Sequence, residues 1–399
     1  MTKTLKERLV SMQNVDKMLL VRYGELTLKG NNKQTFIKKL EQNMKKIGLY
    51  PQVEYDYMLL NYSEENINKL QTVFGLSSFS IIYFTKPELE ILSKSILNHV
   101  RQTYLNENLS FKVEAKRKDK SFGNTSDEIK RYVANEILDN TKFKVDVKNF
   151  DFKIDIRIEK NRFYFFTNKV ELLKGLPLGI SGKAIHLISG GFDSPVASFL
   201  MMKRGFEVEF VNFITPPHTD DLTVKKTKMI LQELTKYQSK IKLHLIKFTD
   251  LMNYLGLSPK QNYKVVLMRR SFYRISQKIA EKNNSIIISN GENIGQVASQ
   301  TAEAIYVIQS GIKIPIIRPL ATFDKNEIIK ISKEIKTHDI SVIQSNEACE
   351  LFAPKNPIIK PSLEVTEFLE NELDQIEFLE NKALNDYDEI FYFNYEFRS

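Results

Sequence analysis

Residues 184–188 form a short, largely apolar run that stops abruptly at Ser189-Gly190-Gly191-Phe192-Asp193-Ser194-Pro195. The run reads as a buried strand, and Val196, Phe199 and Leu200 beyond Pro195 read as a helix ending near Gly205. This strand, glycine-rich turn and helix constrain the fold more than any other stretch. Together they present backbone N–H groups and a helix N-terminus to an anion. The glycines let a phosphate approach the backbone, Ser189 and Ser194 offer hydroxyl donors, and Pro195 suits a first helical turn because it has no N–H. Asp193 is the odd member, since a carboxylate beside phosphates repels them unless a divalent cation lies between.

Strand and helix patterns continue to alternate beyond this turn, over 207–214, 222–236, 241–247, 261–282, 285–289, 296–309, 314–317 and 325–335. That alternation predicts a doubly wound, parallel α/β sheet. Gly175-Leu176-Pro177-Leu178-Gly179 marks its upstream boundary. The turn is neither a Walker A loop nor a Rossmann fingerprint: Gly182-Lys183-Ala184 lacks the hydroxyl and the upstream glycine, and no G-x-G-x-x-G follows the strand.

Two smaller modules precede the boundary. A strand at 18–23, an amphipathic helix at 34–47, a strand at 53–60, a helix at 65–73 and a strand at 79–84 give a β-α-β-β-α-β order, that of a ferredoxin-like α+β unit. Then come a helix at 89–104, a strand at 111–116, a helix from Ser126 (as cap) to Leu138, and an antiparallel pair, 152–158 with 162–166. The expected domains are 1–76, with 1–17 as a loose leader, 77–172 and 173–399. The basic cluster Lys116, Arg117, Lys118 and Lys120 falls in the loop between strand and helix, where it either grips phosphates or is simply solvated. The acidic tail reads as one packed helix (Val365, Phe368, Leu369, Leu373, Ile376, Leu379) followed by an apolar hook, Phe391 to Tyr395.

Charge and composition narrow the setting. The net charge is +9, and residues 1–180 hold 31 Lys and Arg against 22 Asp and Glu. Such basic surfaces suit a polyanionic partner such as nucleic acid, although a Lys- and Asn-rich composition raises the pI without one. One cysteine rules out an internal disulfide framework and a Cys-based zinc site. No apolar stretch is long enough to span a bilayer and the first residues are not signal-like, so a cytoplasmic protein without membrane contact is expected.

Ser189 to Ser194 resembles the PP-loop of ATP pyrophosphatases, which split ATP between its α- and β-phosphates. Further motifs narrow the resemblance. Val21-Arg22-Tyr23-Gly24-Glu25-Leu26-Thr27-Leu28-Lys29-Gly30, Met201 to Gly205, Met268-Arg269-Arg270, Asn290 to Thr301, Arg318-Pro319-Leu320 with Asp324-Lys325, and Cys349 to Pro354 are similar to those of bacterial tRNA 4-thiouridine synthetases. The match is collinear from about Met18 to Pro361. It implies a ferredoxin-like domain, a THUMP RNA-binding domain and a PP-loop domain in that order.

By resemblance, ATP adenylates O4 of the uridine at tRNA position 8 and persulfide-derived sulfur then displaces AMP. Leu187, Ile188, Ser189, Gly190, Gly191, Ser194, Asn212, Phe213, Arg269, Gly291 and Gln300 would form the ATP site. Asp193 would act through Mg2+, and Lys325 would stabilise charge as pyrophosphate leaves. Cys349 would carry the sulfur: a lone cysteine is ordinarily an inert apolar side chain, but its thiolate is a strong nucleophile where the pKa is lowered. The implied partners are tRNA, a cysteine desulfurase as sulfur donor, and a second copy of the chain in a homodimer. Longer family members append a rhodanese domain with a second cysteine. This chain ends before one could fit, so a thiazole-forming role is not expected.

Overall fold

In chain order the computed structural model begins with strand β1 (Lys17–Tyr23), helix α1 (Lys33–Lys46), β2 (Gln52–Val53), β3 (Tyr57–Asn61), α2 (Glu64–Leu70) and β4 (Leu76–Thr85). Helix α3 (Leu89–Thr103), β5 (Ser110–Arg117), α4 (Ser126–Asn140), β6 (Lys144–Val145), β7 (Phe152–Glu159), β8 (Arg162–Phe166) and β9 (Val170–Glu171) follow. The structure describes residues 17–28, 32–106, 108–119, 121–160, 162–344, 352–385 and 390–394. Contacts divide the chain into two units, 1–33 with 48–174 and 34–47 with 175–399. Nearly all of α1 therefore belongs to the second unit, where Asn43 Nδ2 donates to the Leu178 carbonyl at 2.9 Å.

The first unit is organised by a sheet of order β2-β3-β1-β4-β8-β7-β5-β6, with β9 also pairing with β4. The alternation along β7 sets its faces: Phe152, Ile154, Ile156 and Ile158 are buried while Lys153, Asp155, Arg157 and Glu159 are only partly so. The buried set packs with Leu92, Ile96 and Val100 of α3 and with Ile129, Val133 and Ile137 of α4. Two readings of this region change. The strand expected at 53–60 is two, because the chain turns between them: Glu54 N donates to the Tyr57 carbonyl at 2.9 Å, and the Tyr23 hydroxyl donates to the Glu54 carbonyl at 2.8 Å. The cap of α4 is Thr125 rather than Ser126, since Thr125 stays extended and forms a reciprocal capping box with Glu128.

The second unit continues with β10 (Lys183–Leu187), α5 (Asp193–Lys203), β11 (Glu207–Ile214), α6 (Asp221–Leu234), β12 (Lys240–Lys247), α7 (Thr249–Leu255), α8 (Lys264–Lys282) and β13 (Ile288–Ser289). Then come α9 (Ala302–Gln309), β14 (Ile316–Ile317), α10 (Lys325–Glu334), α11 (His338–Ser341), α12 (Leu363–Glu372), α13 (Ile376–Asn385) and β15 (Ile390–Asn394). The sheet order is β14-β13-β10-β11-β12-β15. The pairs from β14 to β12 are parallel, and β15 joins β12 antiparallel. From β10 the chain order runs outward through β11 and β12 on one side and through β13 and β14 on the other. In such a sheet the strand C-termini flank a crevice where the direction reverses.

Several boundaries in this unit differ from the expectation. Helix α5 starts at Asp193, two residues before Pro195, so the proline occupies the third helical position. Only Ile288 and Ser289 of the run 285–289 are in the sheet. The patterns at 261–282 and 296–309 each open with a 3-10 turn, Gln261–Tyr263 and Ala298–Gln300. The second turn stops because Thr301 is extended and caps α9 through its hydroxyl. The tail forms two helices rather than one. Tyr254 fixes the corner between them, donating to Asp374 Oδ1 at 2.9 Å and accepting from Gln375 N at 3.2 Å. The apolar hook is the edge strand β15, as far as Asn394; Tyr395 lies outside the described residues, as does most of the leader.

Candidate functional site

The loop from Ile188 to Phe192 leaves β10 at the reversal point and is closed by its own side chains. Ser189 N donates to Ser194 Oγ at 2.9 Å, and the Ser194 hydroxyl donates to the Ser189 carbonyl at 3.1 Å. The hydroxyl of Ser194 is thus a clasp across the turn. Beneath it, His186 is fully buried, with Nε2 2.9 Å from the Ser194 carbonyl and Nδ1 2.7 Å from Ser289 Oγ. A carbonyl oxygen only accepts, so Nε2 carries the proton and Nδ1 accepts from Ser289. Burial pushes this imidazole down to about 3, which keeps it neutral.

Two glycines behave differently here. Gly291 is required by packing: a Cβ there would lie 2.6 Å from Ser194 N and 2.7 Å from the Asp193 carbonyl carbon. Gly191 is required by neither packing nor backbone, since an added Cβ would meet Ser189 Oγ at an ordinary 3.6 Å and its φ is not left-handed.

At the strand ends lies a cavity of about 190 Å3. Its walls include Leu187, Ile188, Ser189, Gly190, Asp193 and Ser194 from the loop, Asn212 and Phe213 from β11, Arg269 from α8, and Gly291 and Gln300 from the 290–301 stretch. Of the loop residues named from the sequence, Gly191 alone is not a wall residue. The Phe213 ring stacks on Phe272, centroids 4.0 Å apart. Asn212 Nδ2 donates to the Ile188 carbonyl at 2.7 Å, while Asn212 Oδ1 and Gln300 Oε1 are buried acceptors without a hydrogen-bond partner. At the mouth Lys325 Nζ pairs with Asp193 Oδ1 at 2.9 Å. Gln296 Nε2 reaches Asp193 Oδ2 at 3.5 Å.

The sequence reading missed Val211, Thr223, Phe272, Tyr273, Asn290 and Glu292, which also line the cavity. Phe272 and Tyr273 stand three and four positions after Arg269 on α8, a helical spacing that places them on one face. Glu292 is buried in the wall between Arg269, whose Nη1 donates to Oε1, and Arg318, whose Nε donates to Oε2 at 2.6 Å. Burial pushes its carboxyl pKa up, but the two guanidiniums outweigh that and hold it below the usual range. Burial and the Glu292 charge push the Tyr273 phenol up.

Cys349 and Lys120 lie outside the described residues. The flanks of the cysteine segment are tied into the second unit. Upstream, buried Lys226 donates to the Ile343 carbonyl at 2.7 Å; downstream, Phe352 joins the core with Lys264 Nζ 4.6 Å above its ring. In the first unit, Lys116 and Arg117 are the last residues of β5 rather than loop residues. Arg117 Nη1 donates to the Phe122 and Asn124 carbonyls at 2.9 and 2.7 Å, bracing the following turn. Lys118 pairs with Glu159 at 3.1 Å, and Lys116 is exposed. Among the described residues no helix is long and apolar enough to cross a membrane, and no group of three or more His, Cys, Asp or Glu is placed to hold a metal ion.

Comparison with known proteins matches each region in turn. Residues 18–80 match the ThiI ferredoxin-like domain, 86–168 the THUMP domain, and 179–375 the family described as thiamine biosynthesis protein (ThiI). A probable tRNA sulfurtransferase of Mycoplasmopsis synoviae (strain 53) is 48% identical over 371 residues, covering 92% of this chain and 97% of its own. One from Geobacillus thermodenitrificans (strain NG80-2) is 38% identical over 382 residues, covering 93% and 95%. Among solved structures, a 4-thiouridine synthetase–RNA complex with bound ATP superposes with a TM-score of 0.88 at 34% identity, covering 95% of this chain and all of that one. An α/β chain with ferredoxin-like, THUMP and PP-loop regions in this order, and with such relatives along nearly its whole length, belongs to the tRNA sulfurtransferase family.

Proposed function

We propose that the chain transfers sulfur to uridine 8 of tRNA at the expense of ATP, giving 4-thiouridine, AMP and pyrophosphate. The observation that carries this reading is the cavity at the reversal point. Its wall brings Ser189, Gly190 and Ser194 of the loop together with the Arg269 guanidinium, and Asn212 Oδ1 and Gln300 Oε1 are buried there as unsatisfied acceptors. A glycine-bearing loop at a helix N-terminus, beside a guanidinium, suits a polyphosphate. Family membership supplies the rest of the reaction, since a relative's structure holds both ATP and RNA.

A carbonyl oxygen is a poor leaving group until it is esterified, so adenylation of uracil O4 must precede attack by sulfur. In this scheme the loop N–H groups and Arg269 hold the phosphates, with Phe213, Asn212 and Gln300 against the nucleoside. Lys325, freed from Asp193 by the incoming nucleotide, meets the charge that gathers on pyrophosphate. Asp193, the wall carboxylate that is not buried between two guanidiniums, fits Mg2+, which is commonly held by one or two carboxylates together with substrate phosphates. Asp193 is the residue that would hold it, and the ion would neutralise phosphate charge. Cys349 receives persulfide sulfur from a cysteine desulfurase. The outer sulfur attacks the activated carbon and AMP leaves. An external thiol then reduces the S–S bond so formed, supplying the two electrons that release 4-thiouridine and the free cysteine.

Residues 1–76, 77–172 and 173–399 are the ferredoxin-like, THUMP and pyrophosphatase domains of this scheme. Lys116, Arg117, Lys118 and Lys120 contribute to the tRNA surface, two copies of the chain act together, and the protein works in the cytoplasm. The test is reconstitution with tRNA, ATP, a cysteine desulfurase and a reductant, followed by mass spectrometry of the tRNA nucleosides. The expected result is 4-thiouridine that disappears with Asp193→Ala. Undiminished product from that variant overturns the adenylation scheme. Cys349→Ser should stop product while ATP binding persists; unchanged turnover would remove the cysteine from the pathway.

A further inference from the structure

We propose that Glu292 is a positioning residue that holds the Arg269 guanidinium in the cavity wall for the incoming nucleotide. The inference rests on the reading of this cavity as the ATP site. The Glu292 carboxylate would repel phosphate, and both of its oxygens are already taken by guanidiniums, so its presence in the cavity wall calls for another role. Its side chain is only 5% exposed, and that of Arg269 is 20% exposed.

The geometry places Glu292 at the centre of a braced network. Oε1 accepts from Arg269 on α8, and Oε2 accepts from Arg318, just beyond β14. Arg318 Nη1 is anchored in turn on Gln309 Oε1 at 2.8 Å, at the end of α9. On the main-chain side, Glu292 N donates to Asn290 Oδ1 at 3.0 Å, and the Asn290 amide donates to the Tyr273 hydroxyl. The carboxylate is thus held through Oε2 by Arg318 while Oε1 holds Arg269. Arginine is a long, rotamer-rich side chain, and a guanidinium already held in place loses less freedom when it binds an anion. Arg318 shares the Glu292 carboxylate from outside the cavity lining, so Glu292 orients Arg269 without its whole charge being spent on that one guanidinium.

The test is equilibrium ATP binding by the full-length protein, comparing wild type with E292Q, E292D, R269A, R269A/E292Q and R269A/E292D. Thermal melting confirms that each variant is folded. E292Q should weaken ATP binding about tenfold, as expected for residues coupled through direct contact. E292D keeps the charge, and hence the pairing that folding needs, but withdraws the carboxylate by one methylene; it should lose several-fold. In the R269A background either change should alter affinity by less than about twofold. Turnover at saturating ATP should fall far less than affinity. The inference is overturned if folded E292Q or E292D binds ATP like wild type, or if either change costs the same factor with and without Arg269. Wild type that binds no ATP would instead overturn the reading of the cavity itself.

Discussion

Lys325 Nζ lies 2.9 Å from Oδ1 and 3.2 Å from Oδ2 of Asp193, joining the first residue of α10 to the first residue of α5 across the mouth of the cavity. Both side chains are partly exposed, so the pair is solvent-screened and adds little to stability. Its value lies in poise: each residue keeps the other at the point where phosphates would arrive.

Lys325→Met should therefore reduce single-turnover AMP formation about a hundredfold or more, the scale of losing one preorganised electrostatic contact. The dissociation constant of ATP should change far less. A loss of affinity that matched the loss of rate would mean that the lysine binds ground-state nucleotide instead.

Gly291→Ala places a methyl group against the first turn of α5, 2.6 Å from Ser194 N. The main chain of the loop must move to accept it. Overpacking of this kind costs about 1–3 kcal/mol, so the variant should remain folded. ATP affinity should nevertheless fall about tenfold or more, because the displaced atoms are those that shape the loop. Isothermal titration alongside a urea melt separates the two effects.

His186 predicts an acid-sensitive second unit. Its folded-state pKa is near 3, below the ordinary value of 6.5. Protonation is thus favoured only in the unfolded chain. Stability from this group is full above pH 6.5 and falls as pH drops below it, by about 1.4 kcal/mol per pH unit. His99 in the first unit, pushed down to about 4 first by burial and then by Lys17, acts with the same sign. Urea midpoints measured between pH 7 and 5.5 should show a shallower slope for His186→Gln than for wild type, whatever the starting stability of the variant.

Thr125→Ala removes half of the capping box of α4 and should cost about 1 kcal/mol in urea unfolding. Ser126→Ala should cost distinctly less, because Ser126 is already inside the helix. Equal losses would contradict the assignment of the cap.

The contrast between Thr125 and Ser126 also shows where the sequence stopped being legible. Thr-Ser-Asp-Glu offers two adjacent capping hydroxyls, and only the reciprocal bond with Glu128 decides between them. The parallel sheet and its loop were readable because an apolar strand ending in Ser-Gly-Gly is a local signal. Glu292 was not, although it stands within the 290–301 motif. Its importance depends on Arg269 and Arg318, which the fold brings to it from distant parts of the chain. The two tail helices were read as one for a similar reason, since the side chain that turns the corner, Tyr254, comes from α7. Local chemistry announces strands, turns and phosphate loops, whereas a buried charge network is a property of the tertiary fold.

The pairing of β15 with β12 carries a consequence for synthesis on the ribosome. Strand β12 leaves the exit tunnel long before residues 390–394 have been translated, so its outer hydrogen-bonding edge stays open while the rest of the sheet can already assemble. An open edge is a template for pairing with other chains. A chain that terminates after β14 but before Ile390 would expose that edge with the five parallel strands already built, which makes such truncated products aggregation-prone and places a late check on the fold in β15.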